Sequence, residues 1–516
     1  MLDWHAERGG DRPFVTAGDV TRSAEGMRAE VARWGAAFNT ASLQRGDRVA
    51  IMAGNRLETL DAILGASWAG LVPVPVNTAL RGNQLAHVLS DSGVRLAVAD
   101  AERAPLLLEY APSPGSIEQL WTTEPPGSLV SETVPVAQVS LGAEGTEATP
   151  CEPADPFLII YTSGTTGPAK GVLCPHAQFF WWGVNTGASI GLRPGDMLYT
   201  TLPLFHTNAI SAFVQAMVFD CRLELASRFS ASGFWKEISR REATVTYLMG
   251  TMASILLRRP PEDAQHPHRL RVALAPATTA EVHEEFERRF GVELIQGYGS
   301  SETNHVIGAP AGQQRYGWMG PVLPGFEASV VDEADNQVPD GTVGELVLRE
   351  DEPFSFSAGY LGRADQTLAS RTNLWFHTGD QVVRSAEGWF KFVDRRSDSI
   401  RRRGENIAAF EVESVLLEHP AVVAAAAYGV PSDLGEDDLM VSVVAAPGRS
   451  LDPLELLHHC QSRIAYFAVP RFVRLCDQLP LTGTGKIQKT LLRAEGVTGD
   501  TFDAVAAGFE PARPSA

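Results

Sequence analysis

The chain has 516 residues, of which 44% are hydrophobic and 20% are charged, and its formal net charge is −19. These proportions are typical of a globular protein and exclude a disordered chain, a collagen and a coiled coil. The negative charge disfavours a nucleic-acid partner, and five widely spaced cysteines without a CxxC pair disfavour a disulfide framework or a zinc site. A polar start and the lack of about 18 consecutive apolar residues predict a cytoplasmic protein with no signal peptide and no membrane span.

The first part of the chain alternates helical and strand patterns. We predict a helix over 23–42 and buried strands over 48–54, 71–77 and 94–100, with helical segments between them. Such alternation predicts an α/β fold with a parallel, doubly wound sheet. Residues 112–153 are rich in Pro, Ser, Gly, Glu and Thr, and we expect a loop with one edge strand there.

A second α/β run begins with the apolar strand at 156–164. Its further predicted strands are 196–203, 243–250, 272–277 and 292–299. From about residue 320 short alternating strands predict a small antiparallel region. The last stretch, of about 120 residues, predicts a small α+β domain, and its Ala/Pro-rich end from Thr498 is expected to be poorly ordered.

A glycine-rich segment, YTSGTTGPAKG at 161–171, joins a predicted strand to a predicted helix. Glycines let backbone N–H groups approach an anion closely, hydroxyls add donors, and Lys170 supplies a compact positive charge. Lys170 stands out because the chain contains only five lysines among 43 basic residues. The pattern predicts a loop that holds a polyphosphate, although the GxxxxGK[ST] pattern of P-loops is absent.

This segment resembles the signature loop of the adenylate-forming, or AMP-binding, superfamily, which includes acyl-CoA synthetases, adenylation domains of peptide synthetases and luciferases. The usual ending, Thr-Gly-x-Pro-Lys-Gly, has its proline one position later than here, so we expect a slightly different loop shape. Six further segments match in the expected order: PLFHTN, ALAPAT, QGYGSSET, WFHTGD, DRRSDSIRRRGENI and LTGTGKIQK. The sequence as a whole is similar to the carnitine/crotonobetaine and medium-chain branch of CoA ligases.

The resemblance implies a two-domain architecture. Residues 1–395 would form a large domain of doubly wound sheets with a small β-barrel-like region, holding the carboxylate and ATP sites. Residues 396–516 would form a mobile α+β lid that carries the catalytic Lys486. The hinge position, usually Asp or Lys in the family, falls on Ser397, so we expect a working hinge with an altered balance between its states.

The resemblance also implies the nucleotide contacts. Tyr298 would pack on adenine, Thr303 would contact the α-phosphate, and Glu302 would hold Mg²⁺. Asp380 would accept both ribose hydroxyls, and Arg395 would reach the ribose or a phosphate. The other implied ATP contacts are Thr162, Ser163, Gly164, Thr165, Thr166, Gly167, Lys170, Ala275, Pro276, Ala277, Gly297, Gly299 and Ser300.

The resemblance implies further roles for residues near the end of the chain. Lys486 would enter the active site and stabilise charge during adenylation, whereas Lys489 is expected to be structural. The run Arg401, Arg402 and Arg403 is ordinarily a solvated basic face, and in this acidic protein it could also attract the phosphates of CoA. The resemblance implies that Gly404 lets the pantetheine arm of CoA pass close to the backbone.

The implied carboxylate pocket contains His206, whose ring moves between the two half-reactions in the family. The other implied pocket residues are Thr207, Ala209, Met249, Gly250, Ala275, Gly297, Tyr298, Gly299, Asn304 and Ile307. Most of these side chains are small or apolar. We therefore expect a bulky or extended hydrophobic acid, cyclic or aromatic acids included, rather than a dicarboxylate or a quaternary ammonium acid.

The resemblance implies an enzyme that uses ATP, Mg²⁺ and CoA to convert a small-molecule carboxylic acid first into an acyl-adenylate and then into a thioester. Two alternatives stay open: transfer of an acyl or aryl acid to a separate carrier protein, and nucleotide binding without turnover. Residues 207–219 contain no acidic residue, which argues against an α-amino acid substrate. The assembly stays open between a monomer and a homodimer.

Overall fold

The structure is a computed structural model, and it describes residues 1–110, 117–129, 131–162, 168–395, 399–433, 435–446, 448–480 and 487–513. The helices are α1 Leu2–Gly9, α2 Ala24–Thr40, α3 Leu57–Trp68, α4 Gly82–Ser92, α5 Ala104–Glu109, α6 His176–Ile190, α7 Thr207–Val218, α8 Phe234–Arg240, α9 Gly250–Arg258, α10 Ala280–Phe290, α11 Ala364–Ala369, α12 Ala409–Leu417, α13 Pro453–Gln461 and α14 Lys489–Glu495. Short 3₁₀ turns lie at Pro261–Ala264, Thr372–Leu374 and Tyr466–Ala468.

The strands are β1 Pro13–Ala17, β2 Val20–Ser23, β3 Arg48–Met52, β4 Val72–Pro75, β5 Leu96–Ala99, β6 Gln119–Thr122, β7 Val136–Gln138, β8 Pro156–Thr162, β9 Lys170–Pro175, β10 Met197–Thr200, β11 Arg222–Leu225, β12 Val245–Tyr247, β13 Val272–Leu274, β14 Glu293–Ile295, β15 Gly297–Ser300, β16 Asn304–Gly308, β17 Phe326–Val331, β18 Val343–Glu350, β19 Gly359–Tyr360, β20 Phe376–Arg384, β21 Phe390–Arg395, β22 Ser399–Arg402, β23 Glu405–Ala408, β24 Val422–Pro431, β25 Asp437–Ala445, β26 Phe472–Cys476 and β27 Phe502–Asp503.

Two predominantly parallel sheets form the centre of the large domain. The first has the order β4-β3-β5-β6-β7 and is parallel throughout. The second has the order β14-β13-β12-β10-β11-β1-β2 and is parallel except for the β1–β2 pair. The inner strands β5, β10 and β12 are buried from end to end, as expected when helices cover both faces of a parallel sheet. The predicted α/β, doubly wound fold class is confirmed.

Antiparallel strands complete this domain. The β8–β9 hairpin pairs further with β19, and the four-stranded sheet β17-β18-β20-β21 is the small antiparallel region that the sequence predicts after residue 320. The hairpin matters for the site, because it places Thr162 opposite Lys170 at the two ends of the glycine-rich segment.

The C-terminal residues form a separate small sheet with the order β24-β25-β26-β27, packed on α12, α13 and α14, and preceded by the β22–β23 hairpin. The prediction of a poorly ordered end from Thr498 is wrong for 498–513. β27 pairs with β26, and Ala504 and Phe509 are buried in the apolar core of this sheet. The prediction failed because an Ala/Pro-rich composition does not indicate which of its few apolar side chains pack into a core.

Two segments near the N-terminus also differ from the prediction. Among the described residues of 112–153 the structure has two strands, β6 and β7, where one was expected, because Leu120 and Trp121 are apolar enough to extend the first sheet. The helix α1 and the hairpin β1–β2 precede the first predicted helix. Among the described residues no helix is both long and apolar enough to cross a membrane.

Candidate functional site

The ends of four neighbouring parallel strands position the candidate active site. β10, β12, β13 and β14 run in the same direction, so their carboxyl ends meet at one edge of the second sheet. Ligands of open α/β sheets bind in the crevice outside this edge. The segments that follow these strands are the ones that carry His206, Met249, Pro276 and Tyr298. Four separate sequence motifs are therefore brought together by strand direction alone.

A cavity of about 1440 Å³ opens at this edge. It is lined by fifteen of the predicted site residues: Thr162, Lys170, His206, Thr207, Met249, Pro276, Ala277, Gly297, Tyr298, Gly299, Ser300, Glu302, Asp380, Arg401 and Gly404. Since these residues come from both predicted domains, the C-terminal residues lie over the mouth of the crevice rather than apart from it.

Other predicted residues lie behind the wall of this cavity. Thr303, Asn304, Ala209, Gly250, Ala275 and Ile307 are buried and do not line it. The predicted residues Ser163, Gly164, Thr165, Thr166, Gly167, Ser397 and Lys486 lie outside the described residues. For Arg395 the structure describes the backbone, which pairs with Asp380 in the β20–β21 ladder.

Two carboxylates at the predicted nucleotide end are held by tyrosines. The Tyr298 hydroxyl donates to Asp380 Oδ2 at 2.7 Å, and the Tyr360 hydroxyl donates to Glu302 Oε1 at 3.2 Å. Lys170 Nζ lies 5.0 Å from the centre of the Tyr360 ring. Burial lowers the pKa of Lys170, Glu302 acts to raise it, and Arg363 lowers it further. Lys170 and Glu302 therefore lie at one cavity, which the Tyr298 and Tyr360 side chains also line.

The C-terminal hairpin contacts the predicted carboxylate pocket directly. His206 Nε2 lies 3.1 Å from Glu405 Oε1, which joins the segment after β10 to the start of β23. Burial acts to raise the pKa of Glu405, but His206 and Arg401 outweigh it, so the pKa lies below its usual value. The pair therefore keeps a partly buried negative charge beside the imidazole.

Gly404, which precedes Glu405, allows this close approach. Its φ is +83°, and a Cβ added there would lie 2.5 Å from Met249 Cε. The positive φ therefore favours glycine, and any larger residue would also have to displace the end of the Met249 side chain. The turn lies against the segment after β12, where an apolar wall formed by Trp182, Phe205, Met249 and Leu274 lines the cavity.

Further contacts fix the C-terminal residues on helix α4. Gln84 Nε2 donates to Glu411 Oε2 at 2.5 Å, and Gln84 Oε1 accepts from the Ala465 backbone N–H at 3.1 Å. Burial raises the pKa of Glu411, while Gln84, His87 and the Ala169 backbone N–H act to lower it. Glu411 thus reaches the last described residues of the glycine-rich segment.

The arginine run divides into three different environments. Arg402 is 5% exposed, and its Nη1 donates to the Phe467 and Val469 carbonyls at 3.0 and 2.6 Å. Burial lowers the pKa of Arg402 to about 10. Arg401 lines the main cavity and donates to Asn406 Oδ1 at 2.9 Å, whereas Arg403 is exposed. Arg402 is therefore part of the C-terminal core and not of a solvated basic face, whereas Arg403 is accessible to a ligand.

Sequence reasoning missed several residues of the site. Glu405, Glu411, Tyr360, Gln84 and His305 all line the cavity. A signal existed for Glu405, because it directly follows the predicted Gly404 in a recognised motif. Gln84 and Glu411 are 327 residues apart and carry no motif, so only the domain arrangement brings them together.

Comparison with known proteins agrees with this geometry. Residues 2–361 match the family model of the AMP-binding enzymes, and residues 411–486 match that of the AMP-binding enzyme C-terminal domain. The chain belongs to the AMP-binding enzyme family. It is an AMP-forming ligase of the acyl-CoA synthetase type, as the sequence predicted.

Several relatives of this AMP-binding enzyme are similar over nearly their whole length. The crotonobetaine/carnitine–CoA ligase of Salmonella paratyphi A is 30% identical, with 96% of this chain and 98% of the relative covered. The sulfoacetate–CoA ligase of Cupriavidus necator is 30% identical, with 93% and 94% covered. A structure of o-succinylbenzoate CoA synthetase from Bacillus subtilis is 25% identical, with a TM-score of 0.83 and 96% and 98% covered.

The division of the arginine run predicts a contrast in stability. Arg402→Met leaves the two carbonyls without their donor and leaves Asp438 with Arg471 alone among the described residues, so we expect a loss of about 3 kcal/mol in the stability of the C-terminal sheet. Amide hydrogen exchange of β24–β26 measures this loss. Arg403→Met, its matched control on the same turn, changes the side chain in solvent and should stay within about 0.5 kcal/mol of the unmodified protein. Equal effects of the two substitutions would contradict the assignment.

Proposed function

We propose that the protein is an ATP-dependent acid–CoA ligase. The carboxylate attacks the α-phosphorus of ATP, forms an acyl-adenylate and releases pyrophosphate; the CoA thiol then attacks the acyl carbon and AMP leaves. One observation carries the proposal. A single cavity is lined by the segments that follow the parallel strands, by the loop end of the β8–β9 hairpin and by the Gly404–Glu405 turn of the C-terminal residues. Both half-reactions can therefore use one pocket.

The buried carboxylate of Asp380 supports a role in ribose binding. It is 4% exposed, lines the cavity and accepts from Tyr298, which fixes one oxygen and holds the group at the wall. A carboxylate oriented in this way can accept hydrogen bonds from the two ribose hydroxyls. Pro276 and Ala277, which follow β13, also line the cavity and would flank the adenine.

The donor set fits Mg²⁺ bound through a substrate. Among the described residues no cluster of three or more His, Cys, Asp or Glu side chains could enclose a metal. Mg²⁺ is usually bound by one or two carboxylates together with phosphates and water, and Glu302 lines the cavity as such a carboxylate. The ion would neutralise charge on the phosphates, and Tyr360 would orient Glu302 toward it.

The remaining positive charge would come from lysines. Lys170 lies at the loop end of the β8–β9 hairpin. We propose that Lys170 holds the phosphates through its charge and that residues 163–167 hold them through backbone N–H groups. Lys486 would approach from the small domain and stabilise charge that develops during adenylation. Such preorganised charge acts on the transition state and so accelerates the first half-reaction.

We propose that the domains 1–395 and 396–516 alternate about Ser397 between the two half-reactions. The contact between His206 and Glu405 supports this, because it places the hairpin of the small domain at the carboxylate pocket. We propose that the described arrangement is the one for thioester formation, in which the pantetheine arm would pass Gly404 at the cavity wall.

Free CoA is the acceptor that the comparisons favour, since both reported relatives are named as CoA ligases. The acid is a separate question, because those relatives act on different small acids. The wall of Trp182, Phe205, Met249 and Leu274 supports a bulky or extended hydrophobic acid. A pyrophosphate-release screen over alkyl, cyclic and aromatic acids tests this choice, and a preference for acetate or an amino acid would contradict it.

Removal of the Lys486 charge should separate catalysis from stability. Lys486→Ala is expected to lower the rate of ATP–pyrophosphate exchange at least about 100-fold, because an electrostatic contact to the transition state is lost. Lys489→Ala is the matched control, three residues away. Lys489 Nζ pairs with Glu413 Oε1 at 2.8 Å, so this variant should lose thermal stability and keep exchange. Comparable loss of exchange in both variants would refute the role of Lys486.

Removal of the Glu405 carboxylate should separate the half-reactions. Glu405→Ala deletes the partly buried contact to His206, so we expect thioester formation to fall roughly 10-fold or more while ATP–pyrophosphate exchange stays within about twofold. Single-turnover transfer from preformed acyl-adenylate to CoA measures the first quantity. Glu418→Ala, which deletes a more exposed contact to Asn83 between the same two domains, is the control and should leave both rates nearly unchanged. A parallel fall of both half-reactions in Glu405→Ala would contradict the proposed arrangement.

A further inference from the structure

The turn that brings Glu405 to His206 has an unfavourable backbone. Strands β22 and β23 pair Arg402 with Glu405, so Arg403 and Gly404 alone form the turn between them. Their φ angles are +53° and +83°. Two-residue turns with both φ angles positive strongly prefer Asn-Gly, Asp-Gly or Gly-Gly, because other side chains rarely adopt the left-handed region. With an arginine in the first position, this turn depends on stabilising contacts from outside it.

Glu436 supplies such a contact. Its Oε2 accepts a hydrogen bond from the Gly404 backbone N–H at 2.8 Å. Its side chain is 4% exposed, and its Oε1 lies 4.0 Å from Arg401 Nε and has no hydrogen-bond partner among the described residues. A buried carboxylate is costly unless it is paired, so its presence at this turn indicates that the position of the turn matters.

The loop that carries Glu436 also contacts the large domain. This loop joins β24 to β25, and the Asp433 carbonyl in it accepts from Arg258 Nη2 on helix α9. A Cβ added at Gly435 would lie 3.7 Å from Cγ2 of Thr279, the residue that caps helix α10. In the described arrangement the loop therefore lies between the large domain and the turn.

The turn in its place determines where the next side chain lies. Gly404 packs against Met249, and Glu405, which follows it, places Oε1 3.1 Å from His206 Nε2. Because Gly404 and Glu405 are adjacent, a shift of the turn away from Glu436 would move both of these contacts. A series of contacts therefore leads from helix α9 through Glu436 to the carboxylate pocket.

We propose that Glu436 is a positioning residue for thioester formation, and that its hydrogen bond to Gly404 holds the turn where Glu405 contacts His206. The inference rests on the proposed acid–CoA ligase function and adds a residue to its second half-reaction. Glu436 acts through the turn and not on the reacting atoms. Adenylation should therefore be insensitive to it, because the contact that it positions belongs to the arrangement proposed for transfer to CoA.

Two conservative substitutions separate the hydrogen bond from the charge. Glu436→Gln keeps the length and an acceptor oxygen, so thioester formation should stay within about threefold of the unmodified protein. Glu436→Asp keeps the charge but withdraws the acceptor by one methylene, so thioester formation should fall about 10-fold or more. Single-turnover transfer from preformed acyl-adenylate to CoA measures both, with the acid that the pyrophosphate-release screen favours. The reverse order of the two variants would overturn the proposal.

ATP–pyrophosphate exchange separates positioning from stability. Glu436→Asp should keep exchange within about twofold, whereas weaker folding of the C-terminal domain would lower both half-reactions, because Lys486 belongs to that domain. Glu413→Asp is the matched control, since Glu413 Oε1 accepts from the Ala427 backbone N–H at 2.8 Å in the same domain and lines neither described cavity. It should lower thermal stability and leave the ratio of the two rates unchanged. Parallel falls of both rates in Glu436→Asp, or an equal change of their ratio in Glu413→Asp, would refute the proposal.

A double-mutant cycle tests whether Glu436 acts through Glu405. In a Glu405→Ala background Glu436→Asp should slow thioester formation by less than about twofold, because the contact to be positioned is already absent. Effects that multiply would overturn the proposal. If Glu436→Asp fails to fold, Glu436→Met, which keeps the length and removes the acceptor, takes its place in each comparison. Absence of thioester formation in the unmodified protein would refute the proposed function itself, whereas thioester formation insensitive to these variants would refute only the role of Glu436.

Discussion

The direction of the strands is the constraint on which the site depends. Because β10, β12, β13 and β14 are parallel neighbours, residues from four distant segments must meet at one edge, whatever their side chains are. The segment after each strand is free to carry chemistry, since the strands themselves are buried and fixed. The β8–β9 hairpin then brings Lys170 to the same cavity from a different sheet.

The cavity holds several carboxylates, and the hydrogen bonds described for them come mostly from uncharged donors. Tyr360 donates to Glu302, Tyr298 to Asp380 and Gln84 to Glu411. Hydroxyl and amide donors hold a carboxylate in place without cancelling its charge. The interior is therefore electronegative where a metal–nucleotide complex would bind. The lysine that we propose to act from the small domain would supply positive charge to this interior during the first half-reaction.

Much of this could be predicted from sequence because local motifs and strand periodicity carry it. The fold class and the lining positions of His206, Tyr298 and Asp380 follow from segments that are short and contiguous. Other features could not be predicted. The order of the tail depends on Phe509 filling a core made by distant residues, and the burial of Arg402 depends on carbonyls 65 and 67 residues further along the chain. A run of arginines does not show in sequence which of its side chains face solvent and which donate to buried carbonyls.

Contacts between the two proposed domains are the least predictable part and the most informative. The described ones include Gln84 to Glu411, Asn83 to Glu418 and His206 to Glu405, all of them polar. Polar contacts can exchange for water at small cost, because each net hydrogen bond contributes only about 1 kcal/mol. Gly404 brings its backbone close to Met249 but buries no side chain of its own. This contact therefore restricts the position of the turn and adds little to the affinity between the domains. An interface of this kind can form and break within one catalytic cycle, which is what alternation about Ser397 requires.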